Sequence, residues 1–320
     1  MNKSFILIVS LWLSSLSQAA IDKKQLRFFK PRSILVAVID TGVDCDHPDL
    51  KNNIWTNPGE SGLDIYGKSK TNNNIDDDLN GFIDDIHGWN FIDNNNDLSD
   101  ANGHGTHIAG IIKTEFIKED QRRKKNSDVQ LMVLKYYSSS AQQVDNIKFS
   151  TQAIRYANKM RARVINYSGG GPEPSRSELI AIQESRNLKI LFVAAAGNNK
   201  SNTDSKKYFP ASYLLDNIVS VAASNKLGEL VPFSNFGPES VDIAALGEAV
   251  LSTLPNNRYG MMSGTSQATA IISGRAAHVL IQDSQIQNPQ AVLKRLLKSS
   301  KHIQNLQGKT KYQMALLSDD

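Results

Sequence analysis

The chain has little cysteine, little net charge and few long apolar runs. Its single cysteine, Cys45, excludes an intramolecular disulfide bond, and we expect it to be a small buried residue. The formal net charge is +4, and the basic residues are scattered apart from RRKK at 122–125, so a nucleic acid is a poor candidate for a partner. After residue 20, no apolar segment has the roughly 20 residues that cross a bilayer. We therefore expect a protein held together by its hydrophobic core.

The first 20 residues have the pattern of a secretory signal peptide. Lys3 precedes the apolar run FILIVSLWLSSL, and the small residues SQAA follow it. We expect cleavage near Ala19 or Ala20, a mature domain over 21–320, and no stable membrane anchor. The pattern predicts an exported protein, secreted or periplasmic, and a retained anchor is the alternative.

Six short apolar runs bounded by turn residues indicate buried β-strands. They are continuous rather than alternating, as in strands that helices cover on both faces. Helical stretches lie between them, which predicts an α/β fold with three layers and a mostly parallel sheet flanked by helices. The runs are 34–39, 131–137, 164–168, 190–196, 218–223 and 241–245, and the helical stretches follow Gly103 and cover about 142–160, 175–187 and 266–283. We expect the last twenty residues, 301–320, to fray.

Three separated side chains supply an acid, a base and a nucleophile. Asp40 ends the first predicted strand, His104 lies between two glycines in NGHGTHIAG, and Ser266 opens the last predicted helix. Reactive groups of open α/β sheets lie at the carboxyl ends of the strands, where these residues can meet. A serine hydroxyl needs a base within reach, histidine titrates near neutrality, and an aspartate can hold the imidazole in one tautomer.

Each of these residues also has a simpler explanation. Asp40 could belong to a turn, Ser266 could be a helix N-cap, and His104 with His107 could be metal ligands at i and i+3. The metal hypothesis lacks a third ligand at compatible spacing. Taken one at a time, the residues leave these alternatives open.

Longer segments around these residues resemble a known family. AVIDTGVDCDHPDL, NGHGTHIAG and SGTSQATA resemble the signatures of the subtilisin-like serine proteases (subtilases), in that family's order. VINYSGGGP, FVAAAGNN, FPASY and FSNFGPESVDIAALG resemble its connecting segments, so the resemblance covers roughly 33–282. It implies a serine endopeptidase with a triad of Asp40, His104 and Ser266, in which Asn198 donates to the oxyanion. Its substrate would be a peptide or a protein.

The resemblance also implies which residues bind the substrate. Ser168, Gly169 and Gly170 match the strand edge that pairs with the substrate backbone. Ala195, Ala196 and Gly197 match a wall of the pocket for the residue before the scissile bond, P1. Because these residues are small, we expect room for a bulky P1 side chain and see no partner for a charged one. Gly169 stands where the family more often has a larger residue, which implies a roomier wall.

The region from Trp55 to Asp100 is rich in Asn, Asp and Gly and is typical of a long functional loop. It contains D-x-D-x-N-G, a spacing of calcium ligands around a sharp turn at Gly81. We predict a structural calcium ion, against the alternative of a solvated cluster of Asx turns. The predicted ligands are Asp76, Asp78, Asn80, the Phe82 carbonyl and Asp84. No organic cofactor is expected.

The chain also departs from the family pattern. Gln267 and Ala270 stand where methionine and proline are usual, and only about a dozen residues separate the predicted signal from the first strand. We therefore expect no inhibitory pro-domain, so folding would be unaided or would use a maturation partner. These departures motivate an alternative function, a non-catalytic peptide-binding protein on a subtilase scaffold.

Overall fold

A nine-stranded sheet forms the centre of the protein in the computed structural model, which describes residues 32–123, 127–137, 139, 143–283, 285–286 and 288–317. The predicted signal peptide, residues 1–20, lies outside the described residues. The strands in chain order are β1 (Arg32–Asp40), β2 (Gly88–Asn90), β3 (Ser127–Lys135), β4 (Val164–Tyr167), β5 (Leu191–Ala195), β6 (Ile218–Ser224), β7 (Ile243–Leu246), β8 (Val250–Leu254), β9 (Arg258–Met262), β10 (Lys301–His302) and β11 (Met314–Leu316). Their order in the sheet is β10-β11-β7-β6-β5-β4-β1-β3-β2, and β8 and β9 form a separate hairpin.

The pairing in the central sheet is parallel except between β10 and β11. The central strand β1 pairs with β3 and β4, with Val36 opposite both Leu131 and Val164. Parallel neighbours need crossover connections, which the helices supply. These helices are α1 (His104–Arg122), α2 (Gln143–Lys159), α3 (Arg176–Asn187), α4 (Thr265–Gln282) and α5 (Pro289–Lys298).

Alternate residues of β1 enter two different cores. Val36 and Val38 pack in a cluster that includes Ile108 of α1 and Ile272 of α4. Ala37 and Ile39 pack in a second cluster, with residues of α2 and α3. Side chains of a strand point to opposite faces with a period of two, so the sheet is covered on both sides. The predicted three-layer α/β fold with a mostly parallel sheet is confirmed.

The six predicted strands and four predicted helices are present, and other elements were not predicted. These are β2, the β8–β9 hairpin, α5 and the two C-terminal strands. The expectation that residues 301–320 fray is wrong for the described part, up to residue 317. Ala315 and Leu316 pair with β7 and are buried, because their apolar side chains complete that edge of the sheet.

A buried ion triad joins α1 to α4. The Arg275 guanidinium of α4 lies 3.0 Å from the Glu115 carboxylate and also pairs with Glu119, both on α1. All three residues are buried. The guanidinium and the carboxylates lie in contact, so each buried charge has a partner of opposite sign. Helix α1 begins at the predicted base, His104, and helix α4 begins at Thr265, directly before the predicted nucleophile.

Cys45 is partly buried against the core. Burial, together with the charges of Asp46 and Asp44, raises the pKa of its thiol to about 12. A thiol with this pKa carries almost no thiolate near neutrality, in keeping with the predicted structural role. Within the described ranges, none of the helices combines the length and apolarity that a membrane span needs.

Candidate active site

Asp40 and His104 meet at the carboxyl end of β1. Asp40 is the last residue of that strand, is 4% exposed, and accepts a hydrogen bond from the Thr41 amide at 2.8 Å. His104 begins α1, and its Nδ1 lies 2.7 Å from Asp40 Oδ1. The close approach depends on Gly105, where a Cβ atom would lie 2.0 Å from the Gly42 carbonyl oxygen. The predicted acid and base are therefore in contact.

The environment of His104 favours the charged imidazolium. Burial alone would lower the pKa of this imidazole, but the charge and hydrogen bond of Asp40, with a contribution from Asp100, raise it overall. The ring is 27% exposed, so one edge reaches the solvent-accessible cleft. Asp40 thus binds the ring and stabilises the proton that a general base takes up.

Asp100 positions the start of α1 and was missed by the sequence reasoning. Its buried carboxylate accepts hydrogen bonds from the Gly103 amide at 2.8 Å and the Thr106 amide at 2.9 Å. It also accepts from the Thr41 hydroxyl at 2.9 Å, and that hydroxyl accepts from the Gly105 amide at 3.0 Å. The sequence did contain a signal for this role. Glycine at the N-cap has no capping side chain, and an acidic residue shortly before it can bind the free amides of the first turn. The residue fixes the segment that carries His104.

Ser266 is the second residue of α4 and lies beside the end of β4. Its hydroxyl donates to the Ser168 carbonyl at 3.0 Å, and the Ser168 hydroxyl donates to the Ser266 carbonyl at 3.2 Å. Among the described residues there is no hydrogen bond between Ser266 and His104. The structure brings Ser266 to the same edge of the sheet as the acid and base, with its hydroxyl turned to the Ser168 carbonyl.

Asn198 is oriented by the turn that precedes Ser266. Its side-chain oxygen accepts from the Thr265 amide at 2.9 Å and from the Thr265 hydroxyl at 3.0 Å. Its Nδ2 lies 3.5 Å from the ideal Cβ position of Gly264 and has no hydrogen-bond acceptor in the described part of the chain. An amide held by its oxygen presents its N–H groups in a fixed direction. This is the property required of an oxyanion donor.

The predicted substrate-binding edge borders a cavity of about 730 Å³ that Asp40 and His104 also line. Neither Gly169 nor Gly170 makes a backbone hydrogen bond to another described residue, whereas Gly171 pairs with Phe209 through bonds of 2.9 and 2.7 Å. The free backbone of Gly169 and Gly170 is available to an extended peptide. Ser168 and both glycines line the cavity.

Tyrosine side chains occupy the space that the glycines of the predicted substrate site leave. A Cβ atom at Gly169 would lie 2.1 Å from the Tyr136 hydroxyl oxygen. The Tyr208 ring lies between the two glycine walls, with its Cζ atom 3.0 Å from the ideal Cβ positions of both Gly170 and Gly197. The expected roomier wall and bulky P1 side chain do not match this packing. Ala195 and Ala196 are buried behind the wall.

His107 has a structural environment. It is fully buried, and its Nε2 lies 3.1 Å from the carbonyl oxygens of Val250 and Gly260, in the β8–β9 hairpin. Burial lowers the pKa of this imidazole, which favours the neutral ring. His104 and His107 point to different partners, so they do not form the metal-binding pair considered above.

Several of the predicted calcium ligands bind backbone amides of their own loop. The Asp76 carboxylate accepts from Asn80 and Gly81 at 2.9 and 2.7 Å, and Asp84 accepts from the amides of Asn73 and Asn74 at 3.0 and 2.9 Å. The Asn80 side-chain oxygen accepts from the Phe82 amide at 2.8 Å, and the Phe82 ring packs against Trp89, Phe91 and Tyr156. Of these contacts, the one between Asn80 and the Phe82 amide has the spacing of an Asx turn, and the others hold more distant parts of the loop together.

Asp78 also accepts from the Asn80 amide, at 3.0 Å, and in addition lies beside two carboxylates that the sequence reasoning missed. Oxygen atoms of Glu60, Asp78 and Asp85 all lie within 4.8 Å of one another. Glu60 is fully buried, and its Oε2 atom has no hydrogen-bond partner among the described residues. Burial raises the pKa values of Glu60 and Asp85, and the charge of Asp78 adds to both shifts. A hard divalent cation fits an all-oxygen set that carries an unpartnered buried oxygen.

Comparisons with known proteins cover most of the chain. The family described as "Subtilase family" matches residues 32–315. The Thermophilic serine proteinase of Bacillus sp. (strain AK1) is 33% identical over 242 residues, which are 76% of this chain and 51% of that protein. The Major intracellular serine protease of Bacillus subtilis (strain 168) is 33% identical over 250 residues, which are 78% of this chain and 68% of that protein. The chain thus spans about half to two thirds of the length of these relatives.

A solved structure agrees with the sequence matches. The crystal structure of a cold adapted subtilisin-like serine proteinase superposes with a TM-score of 0.65 at 25% identity, covering 90% of this chain and 89% of that one. A lanthipeptide protease shares the fold with a TM-score of 0.64 at 23% identity, covering 85% of this chain and 81% of that one. By the match over residues 32–315 and these identities, the chain belongs to the subtilase family.

Proposed function

We propose that the chain is an exported serine endopeptidase that hydrolyses peptide or protein substrates through Asp40, His104 and Ser266. The observation that carries the proposal is the 2.7 Å hydrogen bond between His104 Nδ1 and Asp40, beside a cavity that Ser168 also lines. Asp40 accepts a hydrogen bond from Nδ1–H, so Nε2 is the free basic nitrogen of the neutral ring. Ser266 adjoins this cavity through its hydrogen bond to Ser168, which lines it.

The proposed reaction has two stages. The Ser266 hydroxyl leaves the Ser168 carbonyl and turns to His104, whose Nε2 accepts its proton as Oγ forms a bond to the substrate carbonyl carbon. The imidazolium then protonates the amine, the C–N bond breaks, and an acyl-enzyme remains. Water attacks the ester and passes a proton to His104, which returns it to Ser266 as the acid product leaves. Catalytic hydrogen bonds are often rearranged without substrate, so the resting contact of Ser266 is compatible with this sequence.

The oxyanion of each tetrahedral intermediate would lie between two donors. One is Asn198 Nδ2, whose amide Thr265 orients, and the other is the backbone N–H of Ser266 in the first turn of α4. The first N–H groups of a helix have no intrahelical acceptor and lie at the positive end of the helix dipole. Both donors are in place before the reaction, which is the condition for strong electrostatic stabilisation.

The alternative is a peptide-binding protein without catalysis, and the contact of Ser266 with Ser168 rather than His104 favours it. A fluorophosphonate probe separates the two functions, since it reacts only with an activated serine. We expect the folded protein to be labelled and Ser266→Ala to remain unlabelled. The control is Ser263→Ala, a serine three residues away whose hydroxyl bonds the Ala249 amide. If correctly folded protein is not labelled at Ser266, the endopeptidase proposal fails.

Export is proposed from residues 1–20 alone, because one relative is named an intracellular protease. N-terminal sequencing of the protein from its native host tests it. A mature N-terminus near residue 20 in the exported fraction supports the proposal. A protein that retains residues 1–20 in the cytosol contradicts it.

We also propose that calcium stabilises the 57–85 loop. Glu60, Asp78 and Asp85 would hold the ion. This set keeps only Asp78 of the expected ligands, and the two buried carboxylates of Glu60 and Asp85 take the place of Asp76, Asn80, the Phe82 carbonyl and Asp84. A bound divalent cation would neutralise carboxylates that now repel one another. Asn57 and Asn80 already donate to Asp85 at 2.7 Å each, and Asn57 donates to Asp78 at 3.0 Å, so the oxygens are held in place.

A further inference from the structure

The cavity beside the proposed catalytic residues has carboxyl groups at both of its ends. From Asp40 and His104 it follows residues 168–172 to the first turn of α3, where Glu173 and Glu178 line it. No lysine or arginine is among its described lining residues. Glu173 is exposed at the rim, whereas Glu178 is 3% exposed and lies inside. The reacting end is therefore continuous with a pocket that contains carboxyl groups and, among its described lining residues, no lysine or arginine to pair with them.

The carboxylate of Glu178 is not used to cap its helix. Ser175 and Glu178 have the spacing of a capping box, in which the glutamate would accept from the Ser175 amide. The Ser175 amide instead donates to the Tyr213 hydroxyl at 2.7 Å, and only the other half of the box forms, from the Glu178 amide to Ser175 Oγ at 3.3 Å. Tyr213 has replaced the glutamate as the acceptor. The Glu178 carboxylate is thereby released toward the cavity.

The hydrogen-bond donors near this carboxylate are shared. The Ser150 hydroxyl lies 3.3 Å from Glu178 Oε1, but it lies closer, 3.0 Å, to the Ile147 carbonyl. The Tyr213 hydroxyl is also within reach of Glu178, yet it donates to the Ser175 carbonyl at 3.0 Å. Each hydroxyl has one proton and a backbone carbonyl that competes for it. Glu178 therefore shares both of its hydroxyl donors with backbone carbonyls, and no lysine or arginine lines the described part of the cavity beside it.

The pKa of Glu178 is consistent with this weak hydrogen bonding. Burial raises the pKa of Glu178 to about 7, in spite of the hydrogen bonds from Tyr213 and Ser150, which lower it. A cation that entered the pocket would favour the ionised form of the Glu178 carboxyl group. It would then form an ion pair with that carboxylate in a poorly solvated site. The stacked rings of Tyr136 and Tyr167, with centroids 5.4 Å apart, and Ile147 supply apolar surface for the stem of a long side chain.

We propose that Glu178 is a specificity-determining residue whose pocket accepts the cationic side chain of a lysine or arginine of the substrate peptide. The inference rests on the proposed function of the cleft, because the peptide lies along Gly169 and Gly170 and extends a side chain toward α3. The pocket would require a basic side chain in the substrate, whereas the three proposed catalytic residues act on any peptide bond. The basic residue would precede the scissile bond, on the segment that pairs with this edge.

Binding tests the proposal without turnover. Ser266→Ala protein is titrated with labelled peptides that carry lysine at one of the five positions before the scissile bond, and norleucine is its uncharged counterpart. At one position we expect lysine to bind at least about tenfold more tightly than norleucine, as for close charge pairs. Adding Glu178→Gln should remove this ratio while leaving the affinity for norleucine within about twofold.

The rim residue provides the matched control, because Glu173→Gln removes the same charge from the same cavity at an exposed site. It should retain most of the preference for lysine. The ratio of lysine to norleucine affinity is first measured on Ser266→Ala protein with Glu178 intact, so this part of the test stays valid even if the Glu178→Gln protein is unstable. Equal binding of the two peptides at every position, no binding at all, or a preference that survives Glu178→Gln overturns the proposal. Probe labelling of Ser266 reports separately on the endopeptidase function.

Discussion

The cleft has two halves that are built in different ways. In the reacting half, polar side chains are fixed by hydrogen bonds to each other and to the backbone at the ends of strands and helices. In the recognising half, aromatic side chains fill gaps beside glycines, and one carboxylate is left without a counter-ion. The reacting half consists of Asp40, His104, Asn198 and Ser266, and the recognising half consists of Tyr136, Gly169, Gly170, Glu178 and Tyr208.

This difference implies separate consequences of substitution. A reacting group acts at one point in space, so changing it should lower the rate for every substrate alike. A group of the recognising half sets the shape or charge of a pocket, so changing it should alter the ratio between substrates. Variants of the two halves should therefore fall into two kinetic classes.

The largest expected effect comes from Asp40→Asn, which keeps the size of the side chain and removes its charge. We expect kcat to fall by about 10⁴-fold for all peptides, because the imidazole loses its correct tautomer and the stabilisation of its proton. Asp40 raises the pKa of His104, so activity should fall as the pH drops below that pKa. In the variant this acid limb of kcat/KM should move to lower pH, since burial then acts with less opposition. If the acid limb of kcat/KM has the same pH midpoint in Asp40→Asn as in the unchanged protein, Asp40 is not the residue that sets the pKa of the base.

The next effect is that of Asn198→Ala. Loss of one oxyanion donor should lower kcat by about 10²- to 10³-fold with little change in KM. Asn199→Ala is the control, because that residue lies in the same loop and its hydrogen bonds to other described residues, to Asn235 and Ser201, are made by its backbone. Steady-state kinetics on one peptide measure both. A rise in KM at constant kcat would assign Asn198 to the recognising half instead.

A smaller and selective effect is expected from Tyr208→Ala. The ring occupies the space between Gly170 and Gly197, so the protein with Tyr208 should favour a small P1 residue. Removing the ring should raise kcat/KM for phenylalanine relative to alanine at P1 by about tenfold. Tyr259→Ala, on the exposed β8–β9 hairpin, should leave the ratio unchanged. An unchanged ratio in Tyr208→Ala would mean that the ring leaves the pocket when substrate binds.

The smallest effect on catalysis is expected from calcium, which would act on a third region. Millimolar calcium should raise the melting temperature by roughly 5 °C or more, and Glu60→Gln should abolish the rise. Asp97→Asn is the control, because this nearby carboxylate already accepts from the Ser99 amide. Below the transition, kcat/KM should agree within about twofold with and without the ion. Equal melting shifts in the two variants would argue against Glu60 as a ligand.

Much of the reacting half could be predicted from the sequence. Asp40, His104, Asn198 and Ser266 each adjoin an apolar strand or a helix start, and the parallel topology brings those ends to one edge. Their local segments also resemble a family in order and composition. Asp100 was missed because its effect lies in hydrogen bonds to Thr41 and Gly103, which depend on how two loops pack.

The recognising half could not be predicted in the same way. Small residues indicated open space, but Tyr136 and Tyr208 enter that space from other segments of the chain. Glu178 has the sequence signature of a helix cap, and only the position of Tyr213 shows that this acceptor role is already filled. The proposed calcium ligands were likewise only partly predicted, because the path of the loop brings Glu60 and Asp85 to Asp78. The walls of a pocket depend on contacts between distant segments of the chain, and local sequence patterns do not predict such contacts.

The Arg275 triad has a consequence for how the protein opens. Separating α1 from α4 would break the ion pairs of Arg275 and expose the apolar residues of both helices that pack in one core, so partial opening between them is unfavourable. Amide hydrogens of the two helices should then exchange with solvent only through unfolding of the whole domain, and at similar rates. His104 and Ser266 would be lost together in one cooperative step, with no intermediate that keeps one and releases the other.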